Sequence, residues 1–350
     1  MIHKNFHTSY PFFVAEISAN HNGSLKNAKR LIYLAKKYGA NAVKLQTYTP
    51  DTMTINSQRK EFKIKDGLWK GQTLWKLYEK AQTPFEWQKE LFSYAKKLKI
   101  TCFSSPFDDT AVDLLESIGC PFYKLASFEM TDIPLIKKIS KTKKPMIIST
   151  GMADLKEIDL AFNTAKRNGC KDIALLYCVS NYPSKPSDFN FHNIKILKER
   201  YNCKVGFSDH STDYKIVAAA VASGADIVEK HIALPKQKKG PDIAFSLKGK
   251  EIRDYAKIIE ETHLIMGKRY FFRNKSEASS LKFRRSIYVI KDIKKGEKFT
   301  KKNIKVIRPG YGVEPIYFEK MTKKKSLFNM KSQTPIKKSL LKKLRIPILR

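Results

Sequence analysis

Apolar and polar positions follow two alternating patterns between residues 12 and 267. Short runs rich in β-branched and aromatic residues alternate with segments in which apolar residues recur at helical spacing. Helices are predicted at Leu25–Tyr38 and Phe85–Leu98, the second with Thr83 as N-cap and Pro84 at its first position. The apolar runs predict eight strands, at Phe12–Ser18, Ala42–Tyr48, Thr101–Ser105, Phe122–Ser127, Met146–Thr150, Ile173–Ser180, Lys204–His210 and Ile227–Ala233.

Eight strands that alternate with helices indicate an α/β protein with a (β/α)8 TIM barrel. A doubly wound dinucleotide fold is the alternative, but no GxGxxG turn follows the first strand. We therefore predict a barrel domain over residues 1–267. A long insertion, Thr49–Gln82, separates the second strand from its helix and carries Trp69 and Trp75. Loops of this length are usually functional or structured, and this one is expected to overhang the barrel mouth.

The pattern changes in the last part of the chain. A basic linker is predicted at residues 268–282, and short strand and turn segments follow it. They include a strand at Ser286–Ile290, a turn at Lys294–Glu297 and the segment Val306–Gly312. Residues 283–350 are therefore predicted to form a second, small, β-rich domain, and nothing in its composition suggests independent catalysis.

Composition excludes several classes of protein. Hydrophobic residues make up 42% of the chain, which is enough for packed cores and excludes a largely disordered protein. No stretch approaches the roughly 20 apolar residues of a membrane span, and the amino terminus lacks a signal-peptide pattern. The five cysteines are odd in number and show no CxxC spacing, which argues against a disulfide framework or a zinc knuckle. We expect a cytoplasmic protein with reduced thiols and no membrane partner.

The formal net charge of +35 raises the possibility of a polyanion partner. The basic residues are mostly lysines scattered over helix faces, and no recognition helix, finger or aromatic platform accompanies them. A solvated basic surface without nucleic-acid binding is therefore the favoured interpretation, and it would also suit a small anionic substrate. A basic polyanion-binding protein on an inactive barrel is the alternative to an enzyme.

Two strands near the middle of the chain each end in a histidine. Val205–His210 and Ile227–His231 flank a helix predicted over Asp213–Ala225, so they are expected to be parallel neighbours. Their histidines, His210 and His231, then emerge at the same carboxyl-terminal edge. Two imidazoles can hold one divalent metal ion and leave open positions for substrate, so the pattern predicts a metal site.

The other strand ends supply further polar groups to the same edge of the barrel. Lys44 and Lys124 would be costly to desolvate inside strands, so they are not expected there by accident. With nearby hydroxyls they form a suitable cradle for a phosphate and a carboxylate. A Schiff-base lysine is the alternative role for either, although a metal site makes it less necessary. The remaining strand-end residues are Glu16, Asn20, His21, Asn22, Gln46, Ser104, Ser105, Ser127, Ser149, Thr150, Ser180, Tyr182, Ser208, Asp209, Glu229 and Lys230.

Several of these segments together resemble the sialic acid synthase family, whose members condense phosphoenolpyruvate with an amino sugar. The tail resembles the antifreeze-like domain of these enzymes, also called the SAF or β-clip domain, through Arg285-Ser286 and Ile307–Gly310. The resemblance covers nearly the whole chain and implies the barrel already predicted. In the barrel it rests on Ala15–Gly23, Val43–Thr47, Tyr123–Ser127, Ser149–Met152, Gly206–His210, Glu229–His231, Gly240–Asp242 and Phe245–Leu247.

The resemblance implies a role for each matched residue. His210 and His231 would bind a divalent cation such as Mn²⁺, Mg²⁺ or Co²⁺, and Glu16 would position the sugar and manage protons. His21 has two open interpretations, as a site residue or as one that only orders its loop. Phosphoenolpyruvate would be held by Lys44, Ser105, Lys124, Ser127, Ser149 and Ser208, and the sugar would be contacted by Gln46, Tyr182 and Asp242. Ser180 stands where N-acetylneuraminate synthases tend to carry Asn and is included among the substrate contacts.

Two finer expectations follow from the resemblance. The Ser18–His21 motif, the run Gln46–Asp51 and the Gly67–Trp69 loop resemble the branch that uses a diacetamido-trideoxy sugar, and N-acetylneuraminate or legionaminate synthesis is the alternative. Arg308 matches a catalytic arginine that reaches the partner subunit's active site, which implies a domain-swapped homodimer. An ordinary solvated arginine is the alternative for Arg308.

Overall fold

The computed structural model describes residues 9–268 and 270–348. The chain divides into two compact units after Gly267. The first helix of the second unit is the 3-10 helix Lys275–Phe283, most of which lies within the segment expected to be a linker. Each unit has its own hydrophobic core.

The first unit is a closed barrel of parallel strands. Each strand pairs with the next along the chain, and β1 pairs with β8, as in a (β/α)8 barrel. A short strand β9, Leu247–Lys248, pairs in parallel with the end of β8. The predicted fold class is therefore confirmed. The eight strands are β1 Phe12–Glu16, β2 Ala42–Thr47, β3 Thr101–Pro106, β4 Tyr123–Leu125, β5 Met146–Ser149, β6 Ile173–Cys178, β7 Lys204–Asp209 and β8 Ile227–Ala233.

Most strands end earlier than the sequence predicted. After β1 the chain turns at Ser18, whose φ is 47°, into the 3-10 helix Ser18–His21. After β4 it enters the 3-10 helix Ser127–Glu129. The polar residues that follow these apolar runs are not in strand conformation, because the chain turns into a 3-10 helix where each strand ends. The turns place their side chains at the carboxyl ends of the strands.

Helices form an outer layer around the strands. They present apolar faces inward, as Leu31, Ile32 and Ala35 do in the first helix. Within the described residues no helix is both long and apolar enough to cross a membrane. The helices of this unit are α1 Leu25–Lys37, α2 Pro50–Met53, α3 Leu74–Ala81, α4 Phe85–Lys97, α5 Asp109–Ser117, α6 Ile133–Lys141, α7 Leu155–Arg167, α8 His192–Tyr201, α9 Tyr214–Ala222 and α10 Glu251–Met266.

The predicted range of α4 begins correctly at Phe85, but its predicted N-cap is wrong by one residue. Pro84 occupies the N-cap with an extended ψ of 140°, so the first helical residue is Phe85. Thr83 does not cap the helix. Its hydroxyl instead lies 3.1 Å from Nε2 of His21, because this stretch packs against the loop after β1.

The insertion after β2 has secondary structure of its own. It contains α2, the 3-10 helix Lys60–Phe62 and α3, and an isolated bridge between Lys63 and Thr73 closes its middle. The indole N–H of Trp69 donates a hydrogen bond of 3.0 Å to the carbonyl of Pro241. This bond ties the insertion to the loop after β8.

The second unit is built around an antiparallel pair, β10 Ser286–Val289 and β11 Ile304–Ile307. Two short helices, α11 Phe318–Thr322 and α12 Lys338–Lys343, complete it. Its core includes Ile287, Phe299 and Tyr317. The β-structure predicted for this unit consists of this strand pair and of isolated β-bridges, such as the one between Ile293 and Met330.

Candidate active site

The carboxyl ends of the barrel strands open into a cavity of about 490 Å³. The insertion contributes to its wall through residues such as Met53, Ile64 and Leu77. Ten of the residues proposed from the sequence line this cavity: Lys44, Gln46, Lys124, Ser127, Ser149, Tyr182, Ser208, His210, His231 and Asp242. Glu16 and Ser105 lie behind them in contact with Lys44, at 2.5 Å and 3.4 Å from its Nζ.

Lys44, Lys124 and Glu229 line the base of the cavity and Glu16 lies directly behind Lys44; we call these four charged residues the charged floor. Nζ of Lys44 lies 2.5 Å from Glu16 and 3.8 Å from Glu229, and Nζ of Lys124 lies 3.9 Å from Glu229. All four side chains are buried. The backbone sets this arrangement, because Glu16 is in register with Lys44 on one side and with His231 on the other.

Burial and mutual contact shift the pKa values of the charged floor. Burial raises the pKa of Glu16 to about 7, although Lys44 acts in the opposite direction. Burial would also raise the pKa of Glu229, but Lys124 and Lys44 outweigh it and lower that pKa. Burial lowers the pKa of Lys124, whereas Glu16 and Glu229 overcome burial at Lys44 and raise its pKa. At neutral pH, Glu229 is therefore the carboxylate and Glu16 the group that can exchange a proton.

Serine hydroxyls surround this floor. Ser149 lies 2.7 Å from Nζ of Lys124, and Ser208 donates a hydrogen bond of 3.0 Å to Glu229. Ser127 accepts a hydrogen bond of 3.2 Å from the N–H of Gly151. Lysines and hydroxyls that converge in this way suit an anion with several acceptor oxygens.

Ser180 does not line the cavity, but it lies behind it beside Gly151. A Cβ at Gly151 would come within 2.2 Å of Oγ of Ser180 and 2.7 Å of Oγ of Ser127. Only glycine therefore fits between the two hydroxyls.

The two histidines face the same cavity, and their ring centroids are 5.5 Å apart. Burial lowers the pKa of His210 to about 4 and that of His231 well below its usual value, so both imidazoles are neutral at physiological pH. Nδ1 of His210 lies 3.3 Å from the carbonyl of Val179. Because a carbonyl can only accept, Nδ1 carries the proton and Nε2 keeps its lone pair.

His231 has an available ring nitrogen. Its Nδ1 is buried and makes no hydrogen bond to any described residue, and Oδ2 of Asp242 is 3.7 Å away. Neutral histidines with available nitrogens are a suitable donor set for a divalent ion. No cluster of three or more His, Cys, Asp or Glu side chains with metal-binding geometry occurs in the described part of the chain. Any ion held by His210 and His231 would therefore need substrate or water to complete its coordination.

Part of the cavity wall is aromatic, and we call Tyr48, Trp69, Tyr78, Phe107 and Tyr182 the aromatic rim. Tyr48 packs edge-on against Tyr78 and Phe107, at centroid distances of 5.7 and 5.2 Å. Tyr182 lies 6.1 Å from Trp69. This wall suits the apolar parts of a ligand.

Polar groups stand between the aromatic rim and the charged floor. The amide of Gln46 donates a hydrogen bond of 3.2 Å to Ser18, and Ser18 in turn donates to Asp242. Burial raises the pKa of Asp242. These groups can bind the polar substituents of a ligand that rests on the aromatic rim.

Two glutamates of the cavity had no role assigned from the sequence. Glu229 was among the strand-end residues expected at this edge, and its position two residues before His231 on the same strand directs it to the cavity, where it belongs to the charged floor. Glu129 also lines the cavity, and burial raises its pKa to about 7. Its Oε2 has no hydrogen-bond partner within the described ranges. No sequence pattern distinguished Glu129 from a surface glutamate.

Some strand-end residues expected at the site point elsewhere. Asp209 and Lys230 alternate with the histidines and line a separate pocket. Asn20 donates hydrogen bonds to the carbonyl of Ile232 and to Ser246, so it orders a loop. Asn22, Ser104 and Thr150 also lie outside the cavity lining.

His21 is a loop-ordering residue in this structure. Its Nε2 lies 3.1 Å from the hydroxyl of Thr83, and its Nδ1 accepts a hydrogen bond of 3.1 Å from the N–H of Gly23. The ring also packs edge-on against Trp87. Both nitrogens are used, so the structural interpretation of His21 is the one that its contacts support.

Arg308 belongs to the second unit. Its side chain is exposed, and the next carbonyl, that of Pro309, accepts a hydrogen bond of 2.7 Å from Ser286. The N–H of Gly310 donates one of 2.8 Å to the carbonyl of Lys282. The backbone around Arg308 is therefore well held while its guanidinium is free to meet a ligand.

These features define an α/β-barrel protein with buried charged groups at a cavity in its mouth, and comparison with known proteins identifies its family. Residues 31–270 match the NeuB family and residues 284–342 match the SAF domain. The chain belongs to the NeuB family.

Three relatives show how far the similarity extends. The chain is 42% identical to a pseudaminic acid synthase of Helicobacter pylori, over 93% of this chain and 96% of that protein. It is 40% identical to one of Campylobacter jejuni over the same shares. Among solved structures, an N-acetylneuraminic acid synthetase of Leptospira borgpetersenii, crystallised with citrate, is 31% identical with a TM-score of 0.70, covering 78% of this chain and 90% of that one.

Proposed function

We propose that this protein is a pseudaminic acid synthase. It condenses phosphoenolpyruvate with 2,4-diacetamido-2,4,6-trideoxy-β-L-altropyranose and water, and it releases pseudaminic acid and phosphate. The observation that carries the proposal is one cavity that combines two lysines, several hydroxyls and two neutral histidines with an aromatic wall. The similarity to the two pseudaminic acid synthases supports the choice of product.

Phosphoenolpyruvate occupies the charged floor in this proposal. Lys44 and Lys124 bind its phosphate and carboxylate, and the serine hydroxyls donate to the remaining oxygens. Those serines are Ser105, Ser127, Ser149 and Ser208. The low pKa of Glu229 keeps a negative charge between the lysines, so the repulsion between the two cations of the floor is offset.

The sugar rests on the aromatic rim. A 6-deoxy sugar with two acetamido groups is less polar than N-acetylmannosamine, so Trp69 and Tyr182 can cover it. Gln46 and Asp242 bind its polar substituents, and Ser180, beside Gly151, supports this side of the site from behind the cavity wall.

His210 and His231 hold a divalent cation, Mn²⁺, Mg²⁺ or Co²⁺, as their neutral state and open nitrogens permit. When bound, such an ion supplies Lewis-acid polarisation of the open-chain sugar aldehyde. Glu16 lies at the floor with a pKa of about 7, so it can both accept and donate a proton near the reacting carbons. Lys44, ion-paired to Glu16, fixes its position.

The test is phosphate release from phosphoenolpyruvate with a panel of amino sugars. We expect the diacetamido-trideoxy altrose to give the highest kcat/KM, and N-acetylmannosamine and the legionaminate precursor to give far lower values. If kcat/KM were highest with N-acetylmannosamine, the enzyme would be an N-acetylneuraminate synthase. If it were highest with the legionaminate precursor, the enzyme would be a legionaminate synthase. No phosphate release with any sugar would contradict the enzyme itself and favour the polyanion-binding alternative.

The active form is a domain-swapped homodimer in this proposal, in which Arg308 of one chain completes the cavity of the other. The SAF match and the exposed guanidinium on a well-held backbone support it. Mixing inactive His231→Ala chains with inactive Arg308→Ala chains should restore about a quarter of the activity, since half of the dimers are mixed and each has one intact site. No recovery after verified subunit exchange would contradict the swap.

A cytoplasmic location is also proposed. All five cysteines are free thiols, which suits a reducing compartment. Phosphoenolpyruvate is an intracellular metabolite, so an enzyme that consumes it acts where it is made.

A further inference from the structure

Behind the two histidines lies a buried polar network that faces away from the cavity. Asp209 and Lys230 each directly precede a histidine, and they are in register with each other across β7 and β8. Because side chains alternate along a strand, they project to the opposite side from His210 and His231. They line a separate pocket of about 240 Å³ together with residues of α9 and α10.

The network joins the two strands to a helix. Nζ of Lys230 lies 3.2 Å from Oδ2 of Asp209 and donates a hydrogen bond to the carbonyl of Ser211. The hydroxyl of Tyr255, on α10, donates a hydrogen bond of 2.7 Å to the same Oδ2. The other carboxylate oxygen, Oδ1, accepts one of 2.8 Å from the N–H of Ser211. Lys230 also lies over the ring of Tyr255, at 5.8 Å.

The network is fully withdrawn from solvent, with Asp209 1% exposed and Lys230 2% exposed. A buried ion pair contributes little to stability compared with apolar side chains of the same volume, so its presence calls for a role in fixing geometry. The imidazoles themselves have few polar contacts. Nδ1 of His210 contacts the carbonyl of Val179 and Sγ of Cys178, and Nδ1 of His231 has no hydrogen bond within the described residues. Both rings pack against Phe245, and that of His210 also packs against Tyr182.

We propose that Asp209, Lys230 and Tyr255 are positioning residues that set the spacing of His210 and His231 for one metal ion. This inference rests on the metal pair of the proposed function. The ion pair crosses β7 and β8 at the last register position of the two strands, directly before the histidines. The hydrogen bond from Tyr255 anchors that position to α10. These contacts fix the backbone that carries both imidazoles from the side away from the cavity. Residues outside the immediate ligand shell of a metal commonly orient the ligands in this way.

The test measures Mn²⁺ binding to the full chain after metal removal, by calorimetry and by the electron paramagnetic resonance signal of free Mn²⁺. Tyr255→Phe removes one hydroxyl and keeps the ring. The double change Asp209→Asn with Lys230→Met removes both charges together, so neither is left buried alone. We expect the dissociation constant for Mn²⁺ to rise on the order of tenfold in each variant, while that for phosphoenolpyruvate stays within about twofold.

Lys198→Met provides a matched control. Lys198 pairs with Asp226 at 2.8 Å, and Asp226 also accepts a hydrogen bond from the N–H of Val205 near the start of β7. This ion pair therefore supports the same two strands at their other end. Its loss should leave the dissociation constant for Mn²⁺ unchanged.

The outcomes separate this inference from the function on which it rests. If the unaltered protein binds Mn²⁺ and both variants bind it equally well, the positioning role is wrong while the metal site remains. Equal losses of Mn²⁺ and phosphoenolpyruvate binding would show general disruption and would also overturn the inference. If the unaltered protein binds no Mn²⁺, both the metal pair and its positioning network are wrong.

Discussion

The charged floor and the aromatic rim are built from different parts of the chain. The four charged residues of the floor all lie within barrel strands, β1, β2, β4 and β8. The rim instead comes from loops and the insertion, including Trp69 and Tyr78. Strands hold side chains rigidly, whereas loops can vary without disturbing the barrel. In the proposed function, the floor determines the chemistry and the rim determines which sugar is used.

The largest expected effect comes from removing a proposed metal ligand beside the floor. His231→Ala should lower kcat/KM by about a thousandfold or more, because Lewis-acid catalysis contributes several kcal/mol. Chelation of the unaltered enzyme should have a similar effect that added Mn²⁺ reverses. Phosphate release and Mn²⁺ binding are the measurements. Full turnover by chelator-treated, metal-free enzyme would show that the histidines have another role.

Lys124→Met tests the floor directly. The change removes a cation that lies 2.7 Å from Ser149 and 3.9 Å from Glu229. We expect kcat/KM for phosphoenolpyruvate to fall about a hundredfold, while the KM for the sugar changes little. Lys29→Met, which removes a partly exposed lysine paired with Glu90, is the control and should have no effect. If Lys124→Met instead raised the KM for the sugar alone, the assignment of phosphoenolpyruvate to the floor and of the sugar to the rim would be wrong.

Trp69→Leu tests the rim. It removes the ring beside Tyr182 and the hydrogen bond to Pro241. The KM for the sugar should rise about tenfold, because the change removes the ring against which the sugar packs. The KM for phosphoenolpyruvate should stay unchanged, because the charged floor keeps its contacts. Trp75→Leu, in the same insertion but outside the cavity lining, serves as control. An unchanged sugar KM in Trp69→Leu would place the sugar elsewhere.

Glu129→Gln should have the smallest effect on catalysis. Its effect should appear in the pH dependence of the free energy of unfolding. Burial raises the pKa of Glu129 from 4.5 to about 7, so the folded protein holds a proton that the unfolded chain has lost. Stability from this group is therefore complete below pH 4.5 and falls as pH rises through 7. Glu129→Gln should be nearly neutral at pH 5 and stabilise the protein by about 2 kcal/mol at pH 8. Denaturant unfolding at both pH values gives the measurement, and equal effects would show that Glu129 titrates normally.

The sequence predicted the barrel, its strand starts and most of the floor, because apolar runs at regular spacing indicate strands and lysines are rarely buried within them unless a site uses them. It placed Asp209 and Lys230 with the histidines, although alternation along a strand already separates them. It could not predict the contact of His21 with Thr83, which depends on how two loops pack. Nor could it predict that Tyr48, Tyr78 and Phe107 converge, since such aromatic residues are equally typical of a core.

The register between β1 and β8 has a consequence for how activity is acquired. Glu16 is aligned with His231 across the seam at which the barrel closes, and Lys44 is on the next strand. The first and the last strand of the barrel ring therefore supply neighbouring residues of the proposed catalytic centre. A nascent chain that lacks β8 contains Lys44 and Lys124 but neither Glu229 nor His231. Contacts this distant in sequence form late, because closing a long loop costs entropy before the contact is made. Recovery of turnover during refolding is thus expected no earlier than closure of the ring of strands.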